Sequence, residues 1–301
     1  MNIVSLLPSA TEILYALGLG KSVVGVTHEC DFPEDVQNKP VLTRCVFDSV
    51  NLSQKEIDSK VRELASAGDS LYAINDELLR EVKPDLIVTQ DLCHVCAITP
   101  REVDRAVRNL EKKPDVISLN PKNLEDVFSD MIEIGNRTKI MVQPIVKELQ
   151  ERIKKIAPAS LLTPRPSVAC IEWFNPLWRS GHWVPEMVQL AGGEEVLAQI
   201  GRPSRPVEWE ELAEKNPDIV IFMPCGCNLE KTRDEFLKSQ TFFPWNKLKA
   251  FQNGRIYLTD ANSYFSRSGP RLVDGVELLA EILHPEFFQG LAPAGSYVRM
   301  S

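Results

Sequence analysis

The chain has 301 residues, 44% of them hydrophobic and 25% charged, the composition of a soluble globular protein long enough for two domains of ordinary size. A formal net charge of −8 and a pI of about 5.2 argue against nucleic acid or an anionic membrane surface as the main partner. No apolar run reaches the roughly eighteen residues of a membrane-spanning helix, so no membrane insertion is expected. The opening MNIVSLLPSATEIL has no basic n-region and Pro8 interrupts its apolar run, so it does not read as a signal peptide. With seven cysteines in no scaffold-like spacing, that reading places the chain in the cytoplasm with free or metal-bound thiols.

Residues 3–7 read as a buried strand. Ser9-Ala10-Thr11-Glu12 has capping-box spacing, and Ile13, Leu14 and Leu17 continue a helical apolar face that Gly18 and Gly20 close. Residues 23–26 form the next strand and run into a loop, 28–33. Residues 41–53 show no period and read as irregular; 54–67 read as helix. Residues 71–74 are a short strand, Asn75 or Asp76 caps a helix over 77–82, and Pro84-Asp85 ends it. A strand over 86–88 precedes the loop 89–96. Residues 102–111 read as helix, 116–119 as strand, and Asn123 caps a helix to about 134.

Residues 139–157 hold the centre of the chain. Ile145, Leu149, Ile153 and Ile156 fall on one helical stripe, with charged residues on the other face. Pro144 marks the start of the unkinked part, and Pro158 lies just past its end. This helix reads as a stiff strut between two halves, dividing the chain into 1–137, 138–157 and 158–301. In the second half, strands are expected at 168–171, 219–222 and 256–258, and helices at 186–190, 209–215, 230–238 and 272–283. A Trp-rich loop is expected over 172–185. The alternation predicts an α/β protein: two Rossmann-like lobes with mainly parallel sheets, joined by one long helix.

The halves repeat. Glu77 and Glu210 each lie seven residues before the proline of a Pro-Asp pair, Pro84-Asp85 and Pro217-Asp218. Each pair leads into an apolar run and then a cysteine loop, at Cys93 and at Cys225. Open α/β sheets bind ligands outside the carboxyl ends of their strands, so the loops there supply the expected site.

Those loops carry thiols and aromatic rings. Cys30 follows His28, Cys93 and Cys96 bracket His94, and Cys225 neighbours Cys227. Cys30, Cys93, Cys96 and Cys225 together suit zinc, iron or a corrinoid cobalt; the competing reading is buried thiols packing as small apolar groups. Cys45 and Cys170 read as packing residues. Trp173, Trp178, His182 and Trp183 crowd one loop and Tyr264, Phe265 and Arg267 another, which suits a flat hydrophobic ligand with an acidic group. Phe174 reads as a cover for the sheet and Trp209 as structural. Pro8, Ser9, Phe32 and Gln90 complete the expected ligand set. No G-x-S-x-G, Walker or G-x-G-x-x-G sequence is present, which favours a binding protein over an enzyme.

Several segments occur in a telling order. They are residues 11–19 (TEILYALGL), Val24-Gly25-Val26, Asp31-Phe32-Pro33, residues 83–87 (KPDLI), Ala191-Gly192-Gly193, Asn216-Pro217-Asp218 and Ser268-Gly269-Pro270-Arg271. As a set they span nearly the whole chain and resemble the solute-binding proteins of ABC importers for cobalamin, haem and iron-siderophores, cobalamin-binding proteins above all. The resemblance implies two α/β lobes, a small-molecule ligand such as a corrinoid held between them, only small lobe movement, and a monomer. It also implies docking on an ABC permease, if the chain is exported, through one surface glutamate per lobe, at Glu77 and Glu210. The cysteine set departs from that family. The alternative is a cytoplasmic metal-binding protein or enzyme that reuses the fold with a cysteine-rich site.

Overall fold

The computed structural model describes residues 1–47, 52, 54–67, 70–91, 98–161 and 164–300. Its first strand, β1 (Ile3–Ser5), is wholly buried, and helix α1 (Pro8–Ala16) follows almost at once. Pro8 starts that helix, because its missing N–H falls where the helix has no acceptor. The capping box expected at Ser9 is therefore not used: Leu7 is the cap residue, and Ser9 lies buried in the first turn. Leu19 N–H to Leu14 O at 2.9 Å and Gly18 N–H to Tyr15 O at 3.0 Å end the helix, with Gly18 at φ +74°.

The first half continues with β2 (Val23–Gly25), β3 (Thr43–Cys45), α2 (Gln54–Ala67), β4 (Tyr72–Ile74), α3 (Asp76–Val82), β5 (Leu86–Gln90), α4 (Pro100–Arg108) and β6 (Asp115–Leu119). Strands β2-β1-β5-β6 form a wholly parallel sheet in that order. Val4, Leu6 and Ile87 pack with Leu79 of α3 and Val103 and Ala106 of α4. Strand β3, in a stretch read as irregular, pairs antiparallel with β4. Three residues are too short for a period to show, and the pairing partner is distant in sequence.

Next come α5 (Leu124–Thr138) and α6 (Gln143–Ile156). The central helix starts beside Pro144, as expected, and Lys139 at φ +59° separates it from α5. Val142 folds back onto Gly135, where a Cβ would meet its Cγ2 at 2.0 Å. On α6, Val146, Leu149 and Ile156 are buried.

The second half contains β7 (Ser167–Phe174), β8 (Leu177–Arg179), α7 (Val184–Leu190), β9 (Glu194–Glu195), β10 (Arg205–Pro206), α8 (Trp209–Lys215), β11 (Ile219–Phe222), α9 (Leu229–Ser239), α10 (Lys249–Gln252), β12 (Ile256–Thr259), α11 (Ala261–Tyr264), α12 (Leu272–Leu283), α13 (Pro285–Phe288) and β13 (Tyr297–Met300). They build a seven-stranded sheet with path β10-β8-β7-β11-β12-β13, and β9 beside β7. Strands β7, β11 and β12 are parallel; β8, β10 and β13 add antiparallel edges. The expected Trp-rich loop is a hairpin instead: β7 runs on to Phe174 and returns as β8. Phe174 and Leu177 face each other and the core, and the Phe174 ring stacks on Phe222 at 4.9 Å. Trp209 lies 5.3 Å from Trp245 and 5.8 Å from Phe243, a packing role.

By contacts the chain forms two units: Met1–Pro121 with Phe128–Ile145, and Lys122–Val127 with Val146 onward. Within the second, Arg152 of α6 donates to Glu277 at 2.6 and 2.9 Å and to Asp274, tying α6 to α12.

Both Pro-Asp pairs do the same job. Helices α3 and α8 have seven residues each and end in a left-handed residue, Lys83 at φ +46° and Asn216 at φ +40°. The proline that follows excludes further helix. Asp85 then accepts the Asn2 N–H at 2.8 Å and Lys112 Nζ at 2.5 Å. Asp218 accepts the Ser167 N–H at 2.8 Å, its hydroxyl at 2.7 Å, and Lys249 Nζ at 2.9 Å. Each aspartate thus fixes the start of the neighbouring strand, β1 or β7.

Desolvation pushes the Asp218 carboxyl up, but the bonds from Ser167 and Lys249 outweigh it and hold the pKa at about 2. An unfolded aspartate titrates near 3.9, so this stabilisation is present above about pH 4 and lost as the pH falls towards 2. The side chain is 41% exposed, which reduces its worth. Asp218→Asn should cost about 1 kcal/mol at pH 7 and show a shallower acid loss, read by urea unfolding at pH 7, 4 and 2. An unchanged midpoint with the wild-type acid slope would contradict the clamp.

Candidate functional site

In the first unit, Pro8 and Ser9 follow β1, residues 27–30 follow β2, and Gln90 ends β5. These are carboxyl ends of parallel strands, as the sequence pattern requires of a site. A shallow recess opens there, lined by Pro8, Thr27, His28, Glu29, Thr43 and Tyr72 among others. Beside it, buried hydroxyls form a chain. The Ser5 hydroxyl donates to Leu7 O at 2.9 Å, and Thr11 donates to Ser5 Oγ at 2.8 Å. Cys30 Sγ lies 3.1 Å from Thr11 Oγ1 and 3.3 Å from Thr27 Oγ1. His28 Nδ1 lies 2.8 Å from Thr43 Oγ1, with Nε2 3.4 Å from Glu29. Phe32 is 44% exposed, just before a cis Pro33.

In the second unit the tryptophans sit on strands. Trp173 and Trp178 are cross-strand partners near the tip of the β7–β8 hairpin, both half-buried. The buried Trp173 Nε1 has no hydrogen-bond partner among the described residues. Trp183 is different: its indole N–H donates to Phe265 O at 2.8 Å, and both rings are buried. His182 is half-buried at φ +52°, and burial lowers its pKa, so the imidazole is neutral at pH 7. A non-glycine residue held there costs about 1 kcal/mol or more, offset by bonds that join its backbone to Arg202 O and the Gly201 N–H at 2.6 and 2.9 Å. Cys225 is exposed after β11; Tyr264 is half-buried and Arg267 buried after β12. Arg179 is buried, its Nη1 donating to Ser180 O at 3.2 Å.

Among the described residues no group of three or more His, Cys, Asp or Glu side chains is arranged to hold a metal ion. Cys93, His94 and Cys96 lie outside the described residues, while Cys30 belongs to the first unit and Cys225 to the second. Glu77 and Glu210 are both exposed in the first turns of α3 and α8. Their acidic neighbours are paired: Asp76 with Arg105 at 2.6 and 2.9 Å, and Glu211 with Arg205 at 2.8 and 3.3 Å.

Sequence reasoning missed Glu195. A charged residue after a Gly-Gly stop reads as solvated, and only the sheet shows its job. The carboxylate turns inward to accept the Cys170 N–H at 3.0 Å and the Leu197 N–H at 2.9 Å, sealing the edge of β7 where β9 ends.

Comparison with known proteins follows the same lines. The family model described as periplasmic binding protein matches residues 3–263. The ABC transporter substrate-binding lipoprotein YvrC of Bacillus subtilis, itself uncharacterised, is 24% identical, over 96% of this chain and 81% of its own. The vitamin B12-binding protein of Vibrio cholerae is also 24% identical, over 94% of this chain and 88% of its own. A periplasmic haem-binding protein from Pseudomonas aeruginosa superposes with a TM-score of 0.73 at 18% identity, covering 100% of this chain and 98% of its own. These findings overturn the cytoplasmic placement: the family is periplasmic by description and the Bacillus relative is a lipoprotein, both outside the cytoplasm. The earlier placement rested on the first residues of the sequence, which say nothing about what precedes them.

Burial raises the Glu195 pKa to about 7 against the amide bonds that favour its charge. An unfolded glutamate titrates near 4.3, so stability from this group is full below about pH 4 and is lost as the pH rises through 7. Glu195→Gln should flatten the stability profile between pH 4 and 8, measured by thermal unfolding across that range. A variant that keeps the wild-type decline would show that the carboxyl does not titrate there.

Proposed function

Because the chain belongs to the periplasmic binding protein family, we propose that it is the substrate-binding component of an ABC importer and that its cargo is a corrinoid or another metal-bearing tetrapyrrole or chelate. The observation that carries the cargo class is the match of a vitamin B12-binding protein along 94% of the chain. The paired, half-buried indoles of Trp173 and Trp178 support it, since they offer apolar area to a flat ring system. The ligand-facing residues are Pro8, Ser9, Cys30, Phe32 and Gln90 in one unit, and Trp173, Trp178, His182, Cys225, Tyr264 and Arg267 in the other. The neutral His182 imidazole and the exposed Cys225 thiol are the metal-seeking donors among them. Trp183 and Phe265 brace the wall behind. Glu77 and Glu210 are the docking carboxylates, each left uncompensated where its neighbour is paired. The protein carries its cargo without transforming it.

Titration with cobalamin, cobinamide and haemin should quench tryptophan fluorescence at micromolar concentration for at least one of the three. Trp173→Ala or Trp178→Ala should weaken that binding about tenfold or more, roughly 1.4 kcal/mol. No response to any of the three would remove the cargo assignment.

Docking separates cleanly from cargo. Glu77→Arg and Glu210→Arg should each abolish stimulation of the permease ATPase in proteoliposomes while leaving cargo affinity within about twofold. Full stimulation by both variants would exclude these glutamates.

A further inference from the structure

The Cys225-Gly226-Cys227 turn carries more than a metal-seeking thiol. The Cys227 N–H donates to Pro224 O at 3.0 Å, closing a four-residue turn, and Gly226 sits at φ +71°, the left-handed third position of a type II turn. The turn is fastened on both sides. The Cys225 N–H donates to Glu172 O at 3.1 Å on β7, and Cys227 O accepts the Asn262 N–H at 3.0 Å on α11. Asn228 then caps α9, accepting the Lys231 N–H at 2.9 Å. Residues two apart span at most about 7 Å between Cα atoms. A tight turn brings them nearer, into the range of about 4.4–6.8 Å that a disulfide bridges. The two thiols also differ in kind: Cys225 is exposed and Cys227 is 1% exposed.

We propose that Cys225 and Cys227 are a dithiol/disulfide pair, oxidised by low-molecular-weight disulfides through Cys225 as the attacking thiol and Cys227 as the resolving one. The inference rests on the turn and on family membership, not on the cargo. Compartments outside the cytoplasm are oxidising, so an exposed thiol there meets such disulfides. In the first step the Cys225 thiolate attacks one sulfur of the small disulfide. An S–S bond forms to Cys225, the original S–S bond breaks, and one small thiolate leaves and takes a proton from water. In the second step Cys227 gives its proton to solvent base and its thiolate attacks the Cys225 sulfur. The Cys225–Cys227 bond forms and the second small thiolate leaves. Two protein thiols are oxidised and one small disulfide is reduced to two thiols.

Cys227 is buried where Cys225 is exposed, so the second step is the slow one and the mixed disulfide accumulates before it resolves. Oxidation removes the Cys225 thiol from the carboxyl edge of β11.

Reduced full-length protein is incubated with oxidised glutathione at pH 8, quenched in acid, alkylated and analysed by peptide mass spectrometry. A glutathione adduct should appear first on Cys225. It should then give way to a 225–227 disulfide two hydrogens lighter than the dithiol. In Cys227→Ser the Cys225 adduct should live at least tenfold longer, and in Cys225→Ser residue 227 should stay unmodified over the same period. Circular dichroism confirms that both variants are folded, and Cys227→Ala repeats the measurement if the serine is not tolerated. A Cys225 adduct equally long-lived in wild type and Cys227→Ser overturns the proposal. So does Cys225 pairing with any other cysteine, or direct glutathionylation of Cys227 in Cys225→Ser.

Discussion

The carboxylates of Asp85 and Asp218 are the fixed points on which each unit is built. A short helix of seven residues has little stability of its own, and each of these ends in a strained left-handed residue before a proline. What makes the break useful is the aspartate after it. It reaches across to the first amide of a neighbouring strand, at Asn2 or Ser167, and holds the lysine of a third element, Lys112 or Lys249. Register follows from that contact. Strand β1 meets β5 as Ile3 with Leu86, and β7 meets β11 as Val168 with Ile219. Once the starts of the strands are pinned, their carboxyl ends, where the candidate site lies, are placed too.

The same scaffold then carries different chemistry in each unit. After β1 and β2 it presents a recess beside the buried hydroxyls of Ser5 and Thr11, with Cys30 Sγ 3.1 Å from Thr11 Oγ1. After β7 and β11 it presents indoles, a neutral imidazole and an exposed thiol. The left-handed backbone of His182 also lies in this second set. The antiparallel hairpin makes the difference: it extends β7 beyond the point at which a plain β-α connection would turn away.

Outward-facing charge is managed in parallel. Arg105 and Arg205 pair with the acids next to Glu77 and Glu210, Asp76 and Glu211, while Glu77 and Glu210 themselves stay exposed. Behind the sheet, Glu195 does the opposite work: a carboxyl is drawn inside to satisfy the amides of Cys170 and Leu197. Burying it costs ionisation, which is why its pKa is raised and that of Asp218 is lowered, although both accept backbone N–H groups.

Much of the fold was legible in the sequence because it is local. Helices α2, α8 and α12 and strand β11 fall where period and flanking residues put them, and the Pro-Asp repeat announced two similar halves. The ordered motifs identified the family. Pairing between distant strands was not legible. Nothing near Thr43 or Tyr297 announces the partner that makes β3 or β13 a strand, and the bulky run around Trp173 hid the alternation of a hairpin. Glu195 was invisible for the same reason, since a charge in sequence is solvated until a sheet edge encloses it. The chain by itself determined α2, α8 and α12 and the breaks after α3 and α8, because those follow from neighbours within a few positions. Only the tertiary structure decided that Trp173 and Trp178 share a face, that Trp183 is spent on Phe265, and that the Cys225–Cys227 turn is fastened on both sides. The first depends on the register of a hairpin, and the other two on hydrogen bonds between residues far apart along the chain.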